Sequence, residues 1–183
     1  PTKRALSGAT GPQDHCHPVF GIHDHFSSLN WVTLLNNESA QEIERALREF
    51  TAYCNSKNVT IRHVHTDNAK AHLSSNVTAF IRDELKARYT TIAPHNPRSN
   101  GTMERQWLTM GNDTRSMLNC SNFTRNYAYY ALRQSVTVRN TLPFDDDPTQ
   151  CALRRFTGNK PNATQMAPPG DTDGSHECVS VSR

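Results

Sequence analysis

The chain has 183 residues, with 20 Lys and Arg against 17 Asp and Glu, a net charge of +3 and a hydrophobic content of 35%. With a mean hydropathy of −0.72, this supports one domain with a substantial core and a polar tail, and not two comfortable ones. No apolar run approaches the ~20 residues of a membrane span, so no membrane partner is expected.

Taken in chain order, residues 4–10 form a weak strand candidate that would pair with 17–24 as a hairpin. Val19, Phe20 and Ile22, then Trp31, Val32, Leu34 and Leu35, mark strands over 17–24 and 30–35. Ser39 followed by Glu42 is a capping-box pattern, and Ile43, Ala46, Leu47, Phe50 and Cys54 recur at helical spacing behind it. Val59–Thr66 reads as a strand that ends on Asp67. A helix over 75–87 carries Val77, Phe80, Ile81 and Leu85 on one face, and 88–93 is a further strand. Pro94 and Pro97 break regular structure. A helix over 101–118 follows, with Met103, Trp107, Met110, Thr114, Met117 and Leu118 as its core stripe and Glu104 off that stripe. The last helix covers 124–140. Residues 161–183, rich in Pro, Gly, Ser, Asp and Thr, are expected to be disordered.

Three strands, then alternating helices and strands, fit an α/β protein with a mixed five-stranded sheet and helices on both faces, although pattern alone allows other α/β folds. Between Arg82 and Arg139 nine Lys and Arg stand against four Asp and Glu. Such a local excess suits phosphate contacts, or simply a solvated charged face. Asp67 and Glu104 are separated by 36 residues. Two carboxylates brought from different elements to one point are what two-metal phosphoryl chemistry needs, with the ions about 3.5–4 Å apart.

These segments carry a family resemblance. Thr66-Asp67-Asn68, and Pro97-Arg98-Ser99-Asn100-Gly101-Thr102-Met103-Glu104-Arg105, look like the two acidic motifs of retroviral-type integrase cores, most closely those of copia-type retrotransposons. Ala128, Ala131 and Asn140, ending at Leu142-Pro143, resemble that family's last helix, and Pro148-Thr149 with 157–162 its post-core elements. The resemblance covers roughly residues 5–165. It implies a ribonuclease-H-like catalytic core over 1–145, a post-core extension over 146–165 and a disordered tail over 166–183. It further implies DNA integration by polynucleotidyl transfer, with Asp67 and Glu104 as ligands of Mg²⁺ or Mn²⁺ and DNA as partner. Lys86, Arg88, Arg98 and Arg105 become candidates for holding the DNA backbone. Homo-oligomerisation is implied as well.

The chain departs from the family pattern on the first strand. Three residues before Gly11-Pro12, where the family has an Asp, stands Gly8. Asp24 and Asp14 are the candidate substitutes, although Asp24 aligns better with a non-catalytic Asp. Ala69 replaces the usual Gly after Asp67-Asn68, and the 36-residue spacing is one residue longer than usual. Together these point to an impaired strand transferase, or to a non-catalytic nucleic-acid-binding domain that keeps only the fold.

Other signals weigh less. Five cysteines without a CxxC pair suggest reduced thiols inside the cell. Eight Asn-x-Ser/Thr sequons would suit a secreted glycoprotein. However, no secretion-signal pattern precedes them, and a glycan at Asn100, four residues from Glu104, would block DNA. We therefore read the chain, which opens at Pro1, as an excerpt of a longer intracellular polyprotein of cytoplasm or nucleus. His15, Cys16, His17, His23 and His25 lack the spacing of a zinc finger and read as incidental polar residues. Tyr127, Tyr129 and Tyr130 read as packing residues of the last helix in preference to base-stacking ones.

Overall fold

A computed structural model describes residues 17–66, 71–91 and 101–159. The expected strand at 4–10, Gly8, Asp14, Asp67, Arg98, the loop at 94–100 and the tail lie outside the described residues.

Strands β1 (Val19–His23) and β2 (Asn30–Leu34) form an antiparallel hairpin in which Val19 faces Leu34 and His23 faces Asn30. Its turn is built by Asp24. The Asp24 carboxylate accepts both the backbone N–H and the hydroxyl of Ser27, and its carbonyl accepts the Ser28 N–H at 2.8 Å. A short acidic side chain that captures nearby donors is a turn former.

Helix α1 (Ala40–Ser56) starts at the predicted cap, with the Ser39 hydroxyl accepting the Glu42 N–H. Only half of the capping box forms. The Glu42 carboxylate turns away to the Asn36 N–H at 2.9 Å and to Arg45, and Asn37 takes the Ser39 N–H instead. The predicted stripe Ile43, Ala46, Leu47, Phe50 and Cys54 is buried throughout. Burial also pushes the Cys54 thiol up to about 12, so it stays protonated.

Strand β3 (His63–Thr66) runs parallel to β4 (Arg88–Thr91). The crossover contains α2 (Ser75–Ala79), which passes directly into a π-helical turn at Phe80–Glu84 where one continuous helix is expected. The wider turn keeps Phe80 and Ile81 inside together with Val77. Lys86, at φ 52, then reverses the chain into β4. Helix α3 (Gly101–Ser121) and helix α4 (Ala128–Thr141) pack side by side. Helix α5 (Ala152–Thr157) follows a Pro143–Cys151 bridge.

The period of two along the hairpin sends neighbouring residues to opposite faces. Trp31 packs with Leu29, Phe50, Cys54, Ala152 and Phe156, whereas Val32 packs with Met110, Leu132 and Val136. Phe20 joins α1, α2 and the π turn in a third cluster, against which Val64 and Tyr89 of the parallel strands lean. Helices thus cover both faces, as expected. The expected five-stranded sheet needs correction: the four described strands form two separate two-stranded sheets. β1 and β3 share no hydrogen bonds, and each spends one edge on its partner. Tyr127 and Tyr130, expected to pack in the core or at an interface, are exposed and so not in the core. Among the described residues no helix is long and apolar enough to cross a membrane.

Candidate functional site

The two sheets leave a cleft of about 700 Å³ between β1 and β3, and residues of neither β2 nor β4 border it. In parallel sheets the carboxyl ends of strands are the usual place for ligands, and here β3 and β4 end together at Thr66 and Thr91.

Thr66 is buried and held by Tyr89. The Tyr89 hydroxyl lies 3.0 Å from the Thr66 hydroxyl and 3.0 Å from the His72 carbonyl. A phenol has one proton, and the carbonyl can only accept, so Tyr89 donates to His72 and accepts from Thr66. One side chain therefore clips together the residue just before Asp67 and the chain shortly after it.

The first turn of α3 reaches the same cleft through Thr102 and Met103. Glu104 follows immediately. It is exposed, in the first turn of the helix, where the positive end of the helix dipole favours an anion. Asp24 also borders the cleft, with one carboxylate oxygen committed to the turn.

Arg105, next to Glu104, is exposed and folds back to donate to the Gly101 carbonyl at 3.1 Å. Lys86 and Arg88 are exposed as well. Because Arg88 pairs with His63, and Thr91 with Thr66, Arg88 lies about 10 Å from the strand ends, one short strand away, and Lys86 precedes that strand.

A hydrogen-bond hub that the sequence did not announce anchors α3. Buried Asn30 donates from its amide to Gln106 on α3 at 3.3 Å and accepts from His23 at 3.0 Å. Asn140 of α4 completes a reciprocal pair, taking the Asn30 N–H at 2.9 Å and donating to its carbonyl at 2.7 Å. No local pattern signals this, since the partners are 110 residues apart.

Four histidines border the cleft: His23, His25, His63 and His65. His63 and His65 share the Thr90 hydroxyl at 2.7 and 2.9 Å; with one proton and two lone pairs, that hydroxyl can donate to at most one of the two rings. Among the described residues no group of three or more His, Cys, Asp or Glu could hold a metal.

Burial holds His23 below its ordinary pKa, against the opposing pull of the Asn30 bond. Below the ordinary histidine range the unfolded chain thus takes up a proton that the folded chain resists. Stability should fall as pH drops from about 7 through 6.5. Urea midpoints at several pH values will show this slope, and His23→Gln should flatten it.

No family model matches the chain. Its fold is that of solved retroviral integrases. The catalytic core domain of BIV integrase superposes with a TM-score of 0.59 at 16% identity, over 75% of this chain and 84% of that one. The HTLV-2 integrase catalytic core domain, solved in complex with magnesium in a trimeric form, gives 0.55 at 18% identity, over 76% and 93%. An intasome of simian T-cell lymphotropic virus, solved in complex with the PP2A regulatory subunit B56 gamma, gives 0.61 at 19% identity. There the match covers 90% of this chain and 54% of that one.

Proposed function

We propose that the chain is the DNA-integration core of a copia-type retrotransposon polyprotein, a polynucleotidyl transferase impaired at its metal site. The observation that carries this reading is the shared cleft. Thr66, immediately before Asp67, and Thr102 and Met103, immediately before Glu104, border one space. That the segments carrying two acids remote in sequence border one space, on an integrase-core fold, supports assigning both acids to one site.

Asp67 and Glu104 would hold Mg²⁺ or Mn²⁺, which would supply charge neutralisation at the scissile phosphate and an activated attacking oxygen. The chain's own part is to hold the two acids. Tyr89 fixes the strand end before Asp67, and the Asn30–Gln106 bond fixes the first turns of α3 around Glu104. Arg105 is placed to contact DNA beside that turn, Lys86 and Arg88 to contact it farther along, and Arg98 joins them in this proposal. Gly8 leaves the site one carboxylate short.

The test is joining of a labelled donor oligonucleotide in Mn²⁺. Weak joining that Glu104→Gln and Asp67→Asn each abolish supports the reading. Joining that ignores both substitutions refutes it. Gly8 also favours a second reading, a nucleic-acid-binding domain without catalysis. That reading predicts no joining at all, with DNA binding that survives EDTA and weakens with salt.

A further inference from the structure

At the far end of α3 three aromatic rings stand in solvent. Phe123 is 59% exposed, Tyr127 49% and Tyr130 64%. They form a row: Phe123 and Tyr127 centroids are 4.9 Å apart with planes at 32°, and Tyr127 and Tyr130 are 6.3 Å apart at 47°. Large rings on a surface are costly to leave in water unless something covers them.

Their surroundings identify the cover. From Thr114 to Phe144 the sequence holds Arg115, Arg125, Arg133 and Arg139 and no Asp or Glu. Arg125 is exposed between Phe123 and Tyr127, and Arg133 lies over the Tyr129 ring at 5.9 Å. Arg139 is neutralised by Asp113, whereas Arg125 faces solvent and Arg133 is half-buried. A second copy of this chain would set arginine against arginine here. A polyanion with flat apolar groups fits both features at once.

We infer that Phe123, Tyr127 and Tyr130 form a stacking platform for unpaired nucleic acid, with Arg125 and Arg133 holding its phosphates. Every base offers a π-face, so such a platform takes a single strand without sequence preference, while a duplex keeps its bases covered. The platform lies about 25 Å from Glu104 along α3, at 1.5 Å per residue. It is therefore a site separate from the cleft, suited to a displaced or frayed strand. The inference deepens the proposed function by naming a second DNA contact, and it rests on that reading only in taking nucleic acid as the ligand.

The experiment is fluorescence anisotropy of the full chain with a labelled oligothymidylate of about twenty nucleotides and with a duplex of equal length, both in EDTA. Tyr127→Ala with Tyr130→Ala should weaken single-strand binding about tenfold or more and duplex binding by less than about twofold. Tyr127→Phe with Tyr130→Phe, which keeps both rings, should bind like the parent. Thermal unfolding should not change, since the rings are exposed. The inference is overturned if alanine leaves single-strand affinity unchanged or lowers both affinities alike. It is equally overturned if sedimentation shows parent dimers that the alanine variant loses. EDTA removes any dependence on Asp67 and Glu104, so ring-dependent binding in a chain that never joins DNA would sink the integration reading and leave this one standing. Joining without ring-dependent binding would do the reverse.

Discussion

Replacing Gly8 with Asp raises Mn²⁺-dependent strand joining by about a hundredfold or more. The expectation follows from what a hard divalent cation needs. Such an ion takes six or more oxygens and tolerates few substitutes. Asp67 and Glu104 supply two carboxylates, and Asp24, the nearby acid that borders the cleft, already spends an oxygen on the Ser27 N–H and hydroxyl. A third carboxylate at position 8 would restore several kcal/mol of charge stabilisation, and each 1.4 kcal/mol is about tenfold. The gain should vanish when Glu104→Gln is added to Gly8→Asp. Isothermal titration with Mn²⁺ gives an independent readout, since the Gly8→Asp chain should bind the ion more tightly even without DNA. Gly8→Asp with parental joining and parental Mn²⁺ affinity would show that position 8 does not reach the site.

Asn140→Ala lowers the unfolding free energy by about 2–4 kcal/mol. Asn140 satisfies both the N–H and the carbonyl of Asn30, and Asn30 is 4% exposed. Removing the carboxamide strands two buried backbone groups, each costing ~1–3 kcal/mol. For a chain of this size the melting temperature should drop by roughly 5–10 °C. Asn140→Asp is the informative control. It can still accept the Asn30 N–H, but it sets a carboxylate oxygen against the Asn30 carbonyl, so it should recover none of the loss. Asn140→Asp as stable as the parent would mean that the reciprocal pair contributes little. Because the same Asn30 amide reaches Gln106 on α3, Asn140→Ala should also weaken any joining that depends on Glu104.

Much of the architecture was legible locally. The buried stripe of α1 follows from five apolar residues at helical spacing behind a serine cap. The hairpin strands follow from their β-branched and aromatic content, and helix α3 was expected from Gly101 onward after two prolines. Thr66 and Met103, each next to one of the two acids in sequence, border one cleft. The π turn was not legible, because its apolar residues satisfy an ordinary helical period equally well. Nor was the fate of Tyr127 and Tyr130. Three residues apart, they share a helix face, but periodicity is silent on whether anything covers that face.

Read locally, the sequence accounts for strands β1 to β4 and helices α1, α3 and α4, for their apolar faces, and for the two acids that are candidates for one chemistry, whereas helix α5 carried no signal. These are short-range matters, decided by side-chain period, caps and breakers. Long-range packing is what sets Tyr89 as the clip on the strand end before Asp67, Asn140 against the backbone of Asn30, and the four described strands in two pairs. Each of these depends on hydrogen bonds between residues distant in the chain, whose geometry exists only once helices have packed against both faces of the hairpin.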